Sequence, residues 1–327
     1  MQRRDLLKFS LAAGLAPLAR IAGAAATPAP KELRLDFAYY SPVSLVLKKQ
    51  GWVEEAFKPL GTDVRWVQSA GSNRALEYLN SGSVDFGSTA GLAALLSRAN
   101  GNPIKAVYIY SRPEWTALAV GKDSTFTKVE DLRGKKIAAT KGTDPYLFLL
   151  RSLHQFGLRK SDVEIVHLQH ADGRAALENK QVDAWAGLDP HLAASELDAG
   201  SKLIYRNVAF NTYGFLNVSE AFAAKYPEHV KTVIAAYERA RQWTIANPAD
   251  VARLLAEEAK LSPAVAALQF KRTDLSQPLI GSEHVEALRA ASPILLDEQL
   301  VKPGTDLDRV IAALVDPAFA RDVVRRA

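Results

Sequence analysis

The stretch Val84-Asp85-Phe86-Gly87-Ser88-Thr89-Ala90-Gly91-Leu92-Ala93-Ala94-Leu95-Leu96 decides how this chain folds. Val84 to Gly87 reads as a short strand, Ser88-Thr89 as the hydroxyl-bearing turn that opens a helix, and Ala90 to Ala99 as the helix. A strand that runs through a capping residue into a helix is one unit of an α/β fold.

The unit recurs on both sides. Leu33 to Tyr39 is strand-like, and Ser41-Pro42 opens a helix with Ser as N-cap and Pro at the first helical position, stopping at Gly51. Val64 to Gln68 leads to Gly71-Ser72-Asn73 and a helix with Leu76 and Leu79 on one face. Beyond position 120 come Lys136 to Thr140 before Thr143-Asp144-Pro145, Glu164 to Leu168 before Asp172, and Val182 to Ala186 before Asp189-Pro190. Six strand-to-helix junctions in two groups of three predict two α/β lobes. At an offset of 98, Leu79, Val84 and Asp85 match Leu177, Val182 and Asp183, a short echo of one lobe in the other. From Pro227 the chain turns helical, with Val230 to Asn247, Pro248 to Ala259 and Val285 to Leu300 expected to pack on the first lobe.

Composition narrows the function. The 327 residues are 48% hydrophobic and 24% charged, which excludes disorder, collagen and coiled coil and fits about two domains. With no cysteine there is no disulfide, thiol nucleophile, cysteine-held metal cluster or acylated lipoprotein anchor. Residues 1–26 read as a twin-arginine export signal: Arg3-Arg4, the apolar run Phe9 to Ala19, then Ala24-Ala25-Ala26 as a cleavage site. The competing reading is an amphipathic N-terminal helix. The apolar run is too short to span a bilayer. This leader holds Arg3, Arg4, Lys8 and Arg20 against Asp5, so its removal lowers the net charge from +5 to +2. No basic stripe remains to suggest a nucleic-acid partner.

In open α/β sheets ligands lie beyond the carboxyl ends of the strands, where helix N-termini meet. Each N-terminus offers unpaired N–H groups and a partial positive charge, contributing about 0.3 to 1 kcal/mol to anion binding and up to about 2 when partly buried. Several such ends with hydroxyls approach the roughly 8 kcal/mol of a micromolar complex. The expected ligand is a small oxyanion held between the lobes.

As a set, Leu45-Val-Leu-Lys-Lys-Gln-Gly51-Trp52, Val84-Asp-Phe-Gly-Ser-Thr89, Val129-Glu-Asp-Leu-Arg-Gly-Lys-Lys-Ile137, Lys141-Gly-Thr143 and Val182-Asp-Ala-Trp185 to Asp189-Pro190 resemble periplasmic substrate-binding proteins of ABC importers, in their aliphatic sulfonate and taurine branch. The resemblance implies the type II periplasmic binding fold: lobe 1 from 27–118 and 218–327, lobe 2 from 119–217, and two crossing segments near Ala117 to Gly121 and Tyr213 to Asn217. It implies a periplasmic, monomeric receptor without cofactor or metal that hands a small organosulfonate to an ABC permease and its ATPase.

Carried over by position, the resemblance implies a site of Ser41 and Ser44, Ser72 and Asn73, and Ser88, Thr89 and Ala90 from one lobe. The other lobe supplies Gly142 and Thr143, gripping the sulfonate, and Trp185, walling its alkyl part. Every hydroxyl here also fits an ordinary N-cap, and Trp185 also fits plain core. Asp189 reads as a cap, and Asp144 as a cap pointing away. Where relatives carry Ser-Thr-Gly-Asp this chain has Ser88-Thr89-Ala90-Gly91, without the acid. Glu114 and Trp115 are candidates to replace it, facing an ammonium and favouring taurine, with an exposed Glu114 as the alternative. Nitrate, a sulfate ester, an aromatic sulfonate and a pyrimidine are alternative ligands.

An exported enzyme is the competing class, but no Gly-x-Ser-x-Gly elbow, Ser-x-x-Lys, His-Glu-x-x-His or Walker loop occurs. Cytoplasmic relatives of the fold make a thiamine pyrimidine with a cysteine-rich iron motif, which this chain lacks. His167 and His170, three apart on the expected strand, point to opposite sides and read as surface residues.

Overall fold

A computed structural model describes residues 29–324, so the export signal lies outside the described residues. The chain runs β1 (Glu32–Phe37), α1 (Pro42–Gln50), α2 (Trp52–Phe57), β2 (Asp63–Gln68), α3 (Ser72–Asn80), β3 (Phe86–Ala90), α4 (Gly91–Ala99) and β4 (Ile104–Pro113). It continues with β5 (Thr116–Val120), β6 (Lys136–Ala139), α5 (Asp144–Gln155), β7 (Glu164–His167), α6 (His170–Glu178), β8 (Ala184–Leu188), α7 (His191–Asp198) and β9 (Lys202–Tyr205). Then follow β10 (Gly214–Ser219), α8 (Glu220–Lys225), α9 (Pro227–Ala246), α10 (Pro248–Ala259), α11 (Pro263–Lys271) and β11 (Thr273–Asp274). The chain closes with α12 (Ser282–Ala291), α13 (Pro293–Asp297), α14 (Leu307–Leu314) and α15 (Ala318–Val324).

All six junctions are present, three per lobe. One sheet has the order β11-β4-β10-β3-β1-β2 and the other β7-β6-β8-β5-β9. In each, three parallel strands carry the junctions, β2-β1-β3 in one lobe and β7-β6-β8 in the other. Each lobe then receives an antiparallel strand directly after a crossing: β5 beside β8, and β10 beside β3. The central strands β3 and β8 are buried throughout because helices cover both faces of each sheet.

The crossings fall earlier than the sequence suggested. Residues 114–115 join the two sheets once and residues 206–213 join them again, so Thr116 to Leu118 belong to lobe 2 and Gly214 to Asn217 to lobe 1. The apolar run from Ala106 to Val120 is broken at Ser111-Arg112-Pro113-Glu114, and at this polar break the chain changes sheet. β3 also reaches three residues further than expected and takes in Ser88, Thr89 and Ala90, so α4 starts at Gly91. The expected helix over Val285 to Leu300 is divided at Pro293 into α12 and α13. The tail packs on lobe 1, with α9 against α1 and α2 and α14 against α4.

The lobes touch. Ala193 and Ala194 of α7 pack on Val265 of α11. Beside that seam Arg272 pairs with Asp189 and Glu196. On the α5 side His154 and Lys160 meet Glu298 at 2.6 and 3.2 Å. This is the closed arrangement of a two-lobed cleft. Among the described residues no helix is long and apolar enough to cross a membrane.

Candidate functional site

The carboxyl ends of β1, β2 and β3 face those of β6, β7 and β8 across the cleft, and α1, α3, α4, α5, α6 and α7 begin there. Ser41 sits at the start of α1, fully buried, and its hydroxyl bonds to nothing among the described residues. It is free to serve a ligand. Asn73, in the first turn of α3, is the second such group: its Oδ1 is buried without a partner. A Cβ built on Gly142, which adopts φ of 78°, would lie 3.5 Å from the Asn73 Cβ. The structure thus brings Asn73 and Gly142 together from opposite lobes. From them an open groove of about 490 Å³ runs outward past Leu76, Lys141 and Asn100.

Most of the other hydroxyls hold the frame around this mouth. Ser44 Oγ donates to the Ser41 carbonyl at 2.7 Å and accepts from Ala38 N at 3.1 Å, which shapes the β1–α1 turn. Ser72 Oγ accepts from Ala90 N at 2.9 Å, tying α3 to β3. Ser88 donates its amide, at 2.8 Å, and its hydroxyl to the Asp36 carboxyl. Burial pushes that carboxyl up to about 7, against the hydrogen bonds from Ser88 that favour its charge. Thr89 Oγ1 accepts from Asn217 Nδ2 at 2.8 Å, inside the sheet. Thr143 Oγ1 donates to the Thr140 carbonyl at 2.6 Å, so the hydroxyl expected to grip a sulfonate closes its own loop. What α5 still offers the cleft is its amides.

Residues 114 and 115 alternate across an extended crossing, and they part company. Trp115 is buried, edge-on to Tyr40 with centroids 5.9 Å apart, and donates Nε1 to Asp144 Oδ2 at 3.0 Å. Glu114 points the other way and pairs with Arg206 of the second crossing at 2.5 Å. It therefore does not furnish an amine pocket, and that expectation is corrected. Asp144 is no outward cap either. Its carboxylate receives Trp115 Nε1 from one crossing and Thr212 N and Oγ1, at 2.9 and 2.8 Å, from the other, which locks α5 onto both hinges. Burial raises its pKa while these donors oppose the rise.

Trp185 is also corrected. It lies second in β8, one residue from the strand's amino end, and packs with Ala176, Leu177 and Leu192 beneath α6 and α7 in the core of lobe 2. A Cβ on Gly173 of α6 would come within 2.6 Å of its Nε1. Ala184, Ala186 and Leu188 alternate with it on the opposite face.

Sequence reasoning missed His170. It starts α6 instead of sitting on a strand, and it is 1% exposed instead of on the surface. Burial, aided by His191, lowers its pKa to about 3, so the ring is neutral. Asp189 does cap its helix as expected, accepting Ala193 N at 2.9 Å, and it also pairs with Arg272. Burial raises its carboxyl to about 6 against that arginine. Among the described residues no three His, Asp or Glu side chains group as a metal site.

A family model described as NMT1/THI5 like matches residues 44–251. The "Putative aliphatic sulfonates-binding protein" of Escherichia coli (strain K12) is 29% identical over 307 residues, covering 93% of this chain and 95% of that protein. Among solved structures, the alkanesulfonate-binding protein SsuA from Xanthomonas axonopodis pv. citri, bound to MOPS, superposes with a TM-score of 0.80 at 26% identity. That match covers 88% of this chain and 98% of the other. The periplasmic aliphatic sulphonate binding protein SsuA from Escherichia coli gives 0.75 at 26% identity, over 89% and 94%. The two-lobed architecture is therefore the periplasmic binding protein fold.

Proposed function

The chain belongs to the NMT1/THI5-like family, and from that footing we propose that it is the receptor of an ABC importer, capturing a small aliphatic sulfonate between its lobes. The observation that carries this reading is the turning of helix N-termini from both lobes toward the cleft, with Asn73 brought beside Gly142 and with buried, unpartnered side-chain oxygens on Ser41 and Asn73. Such a site holds a single-charged oxyanion through amides and hydroxyls. The relatives named for sulfonate binding support the same ligand class.

The receptor is exported to the periplasm by the twin-arginine leader, works as a monomer and is not acylated, since it has no cysteine. It performs no chemistry. Closure is its output: a ligand that touches both lobes shifts the population toward the closed form, which the permease recognises. A desulfurization enzyme shares the fold at 18% identity and a TM-score of 0.65, a likeness that carries the fold alone.

Thermal unfolding of the protein against ethanesulfonate, taurine, longer and aromatic sulfonates, sulfate, nitrate and thiamine precursors tests this. Binding raises the midpoint by mass action. A rise confined to aliphatic sulfonates is expected. A rise with nitrate or a pyrimidine alone reassigns the ligand, and product formed from a bound sulfonate overturns the receptor.

A further inference from the structure

His170 has one nitrogen whose bonding is settled and one that is bare. The Thr140 hydroxyl donates its only proton to the Leu168 carbonyl at 2.7 Å. At its 3.1 Å contact with His170 Nδ1 it must therefore accept, which places the imidazole proton on Nδ1. Nε2 of the neutral ring is then a lone pair. It is buried, has no partner among the described residues, and points across the cleft at lobe 1. A Cβ on Gly71 would lie 2.8 Å from this Nε2 and 2.9 Å from the unpartnered Asn73 Oδ1. The two acceptors, one from each lobe, are thus within about 6 Å of each other, and leaving a buried acceptor unsatisfied is unfavourable.

We propose that His170 accepts a hydrogen bond from the bound ligand, making the cleft selective for a sulfonate that carries a hydroxyl over the plain alkanesulfonate. This rests on the receptor reading above and narrows its substrate class. The choice of hydroxyl over ammonium follows from charge. Every buried carboxyl nearby is already engaged: Asp36 by Ser88, Asp144 by Trp115 and Thr212, Asp189 by Arg272. Glu114 faces away toward Arg206. An ammonium would enter with no counter-charge, and burying an unpaired charge costs far more than burying a hydroxyl. A hydroxyl donates its one proton to His170 Nε2 at no such cost.

Calorimetry with 2-hydroxyethanesulfonate, taurine and ethanesulfonate, on the wild type, His170→Phe and His170→Gln, is the test. The wild type should bind the hydroxy compound at least tenfold more tightly than ethanesulfonate, with taurine behind it. His170→Phe should erase that preference, and His170→Gln, which keeps an acceptor, should retain part of it. Nitrogen-15 spectra of the histidines provide a readout that does not depend on the variants folding: Nε2 of His170 should be unprotonated and shift when the hydroxy ligand binds. Equal affinities for all three compounds, or a tighter taurine complex, overturn the inference and leave the receptor standing. If the wild type binds none of the three, the receptor reading itself falls.

Discussion

Arg272 and Asp189, from opposite lobes, form a buried ion pair at 3.3 Å, and the same guanidinium also holds Glu196 on α7. Opening the cleft separates them. Removing one partner leaves the other buried and uncompensated in the closed form, at a cost of about 3 to 5 kcal/mol, of which the open form is relieved. Arg272→Met should therefore weaken sulfonate binding more than tenfold and leave the ligand-saturated protein measurably more expanded in small-angle scattering. Wild-type affinity in the variant would falsify a role for this pair in closure.

Gly71 faces His170 with no room for a side chain. Its backbone is extended, at φ of 173°, so any residue can adopt it, and the conflict is with His170 of the other lobe and with the movable Asn73 side chain of its own. Gly71→Ala should fold with an apo melting temperature close to wild type and bind sulfonate at least tenfold more weakly. A large loss of apo stability with unchanged affinity would place the conflict inside lobe 1 instead.

The architecture was legible because each junction is written locally, in a strand, a cap and a helical period. Even the short echo at an offset of 98 has a physical basis: Asp85 accepts the amide of Arg34 at 2.9 Å, and Asp183 accepts that of Lys136 at 2.8 Å. Each carboxylate fastens the third strand of its lobe to the first. The site was legible only in part. A hydroxyl ahead of a helix looks the same whether it is left without a partner among the described residues, as in Ser41, or closes its own turn, as in Ser44 and Thr143. Which of Glu114 and Trp115 points inward depends on where the chain leaves one sheet for the other, and the polar break at Arg112-Pro113-Glu114 marks that point without telling which of the two side chains turns inward. His170 was hidden for a related reason, since Gly71, which faces its Nε2, comes from the opposite lobe.

Glu114→Gln follows from the corrected geometry. The pair with Arg206 is partly exposed and contributes at most about 1 kcal/mol. The substitution should change taurine and ethanesulfonate affinities equally, by less than threefold each. A selective loss of taurine would return Glu114 to the cleft.

Thr143→Val removes the donor to the Thr140 carbonyl and leaves a buried acceptor in the loop that sets the start of α5. A loss of about 1 to 3 kcal/mol in urea unfolding is expected, with affinity reduced through the displaced loop. Thr143→Ser, which keeps the donor, should restore both. If the valine variant is as stable as wild type and binds more weakly, the hydroxyl serves the ligand directly.

Asp36 gives the pH dependence. Its folded carboxyl holds a proton up to about pH 7, against an ordinary value of 3.8, chiefly because it is buried. Between those values the native chain binds more protons at this group than the unfolded chain, so its contribution to stability is fully present below about pH 4 and is lost as pH rises toward 7. Asp36→Asn lacks the titration but keeps the shape, while the opposing histidines and Asp189 are common to both proteins and cancel in the comparison. The stability of the wild type relative to Asp36→Asn should therefore fall by a few kcal/mol between pH 4 and pH 7.5 in urea unfolding. Parallel profiles across that range would mean that the amide and hydroxyl of Ser88 outweigh burial and keep the carboxylate charged throughout.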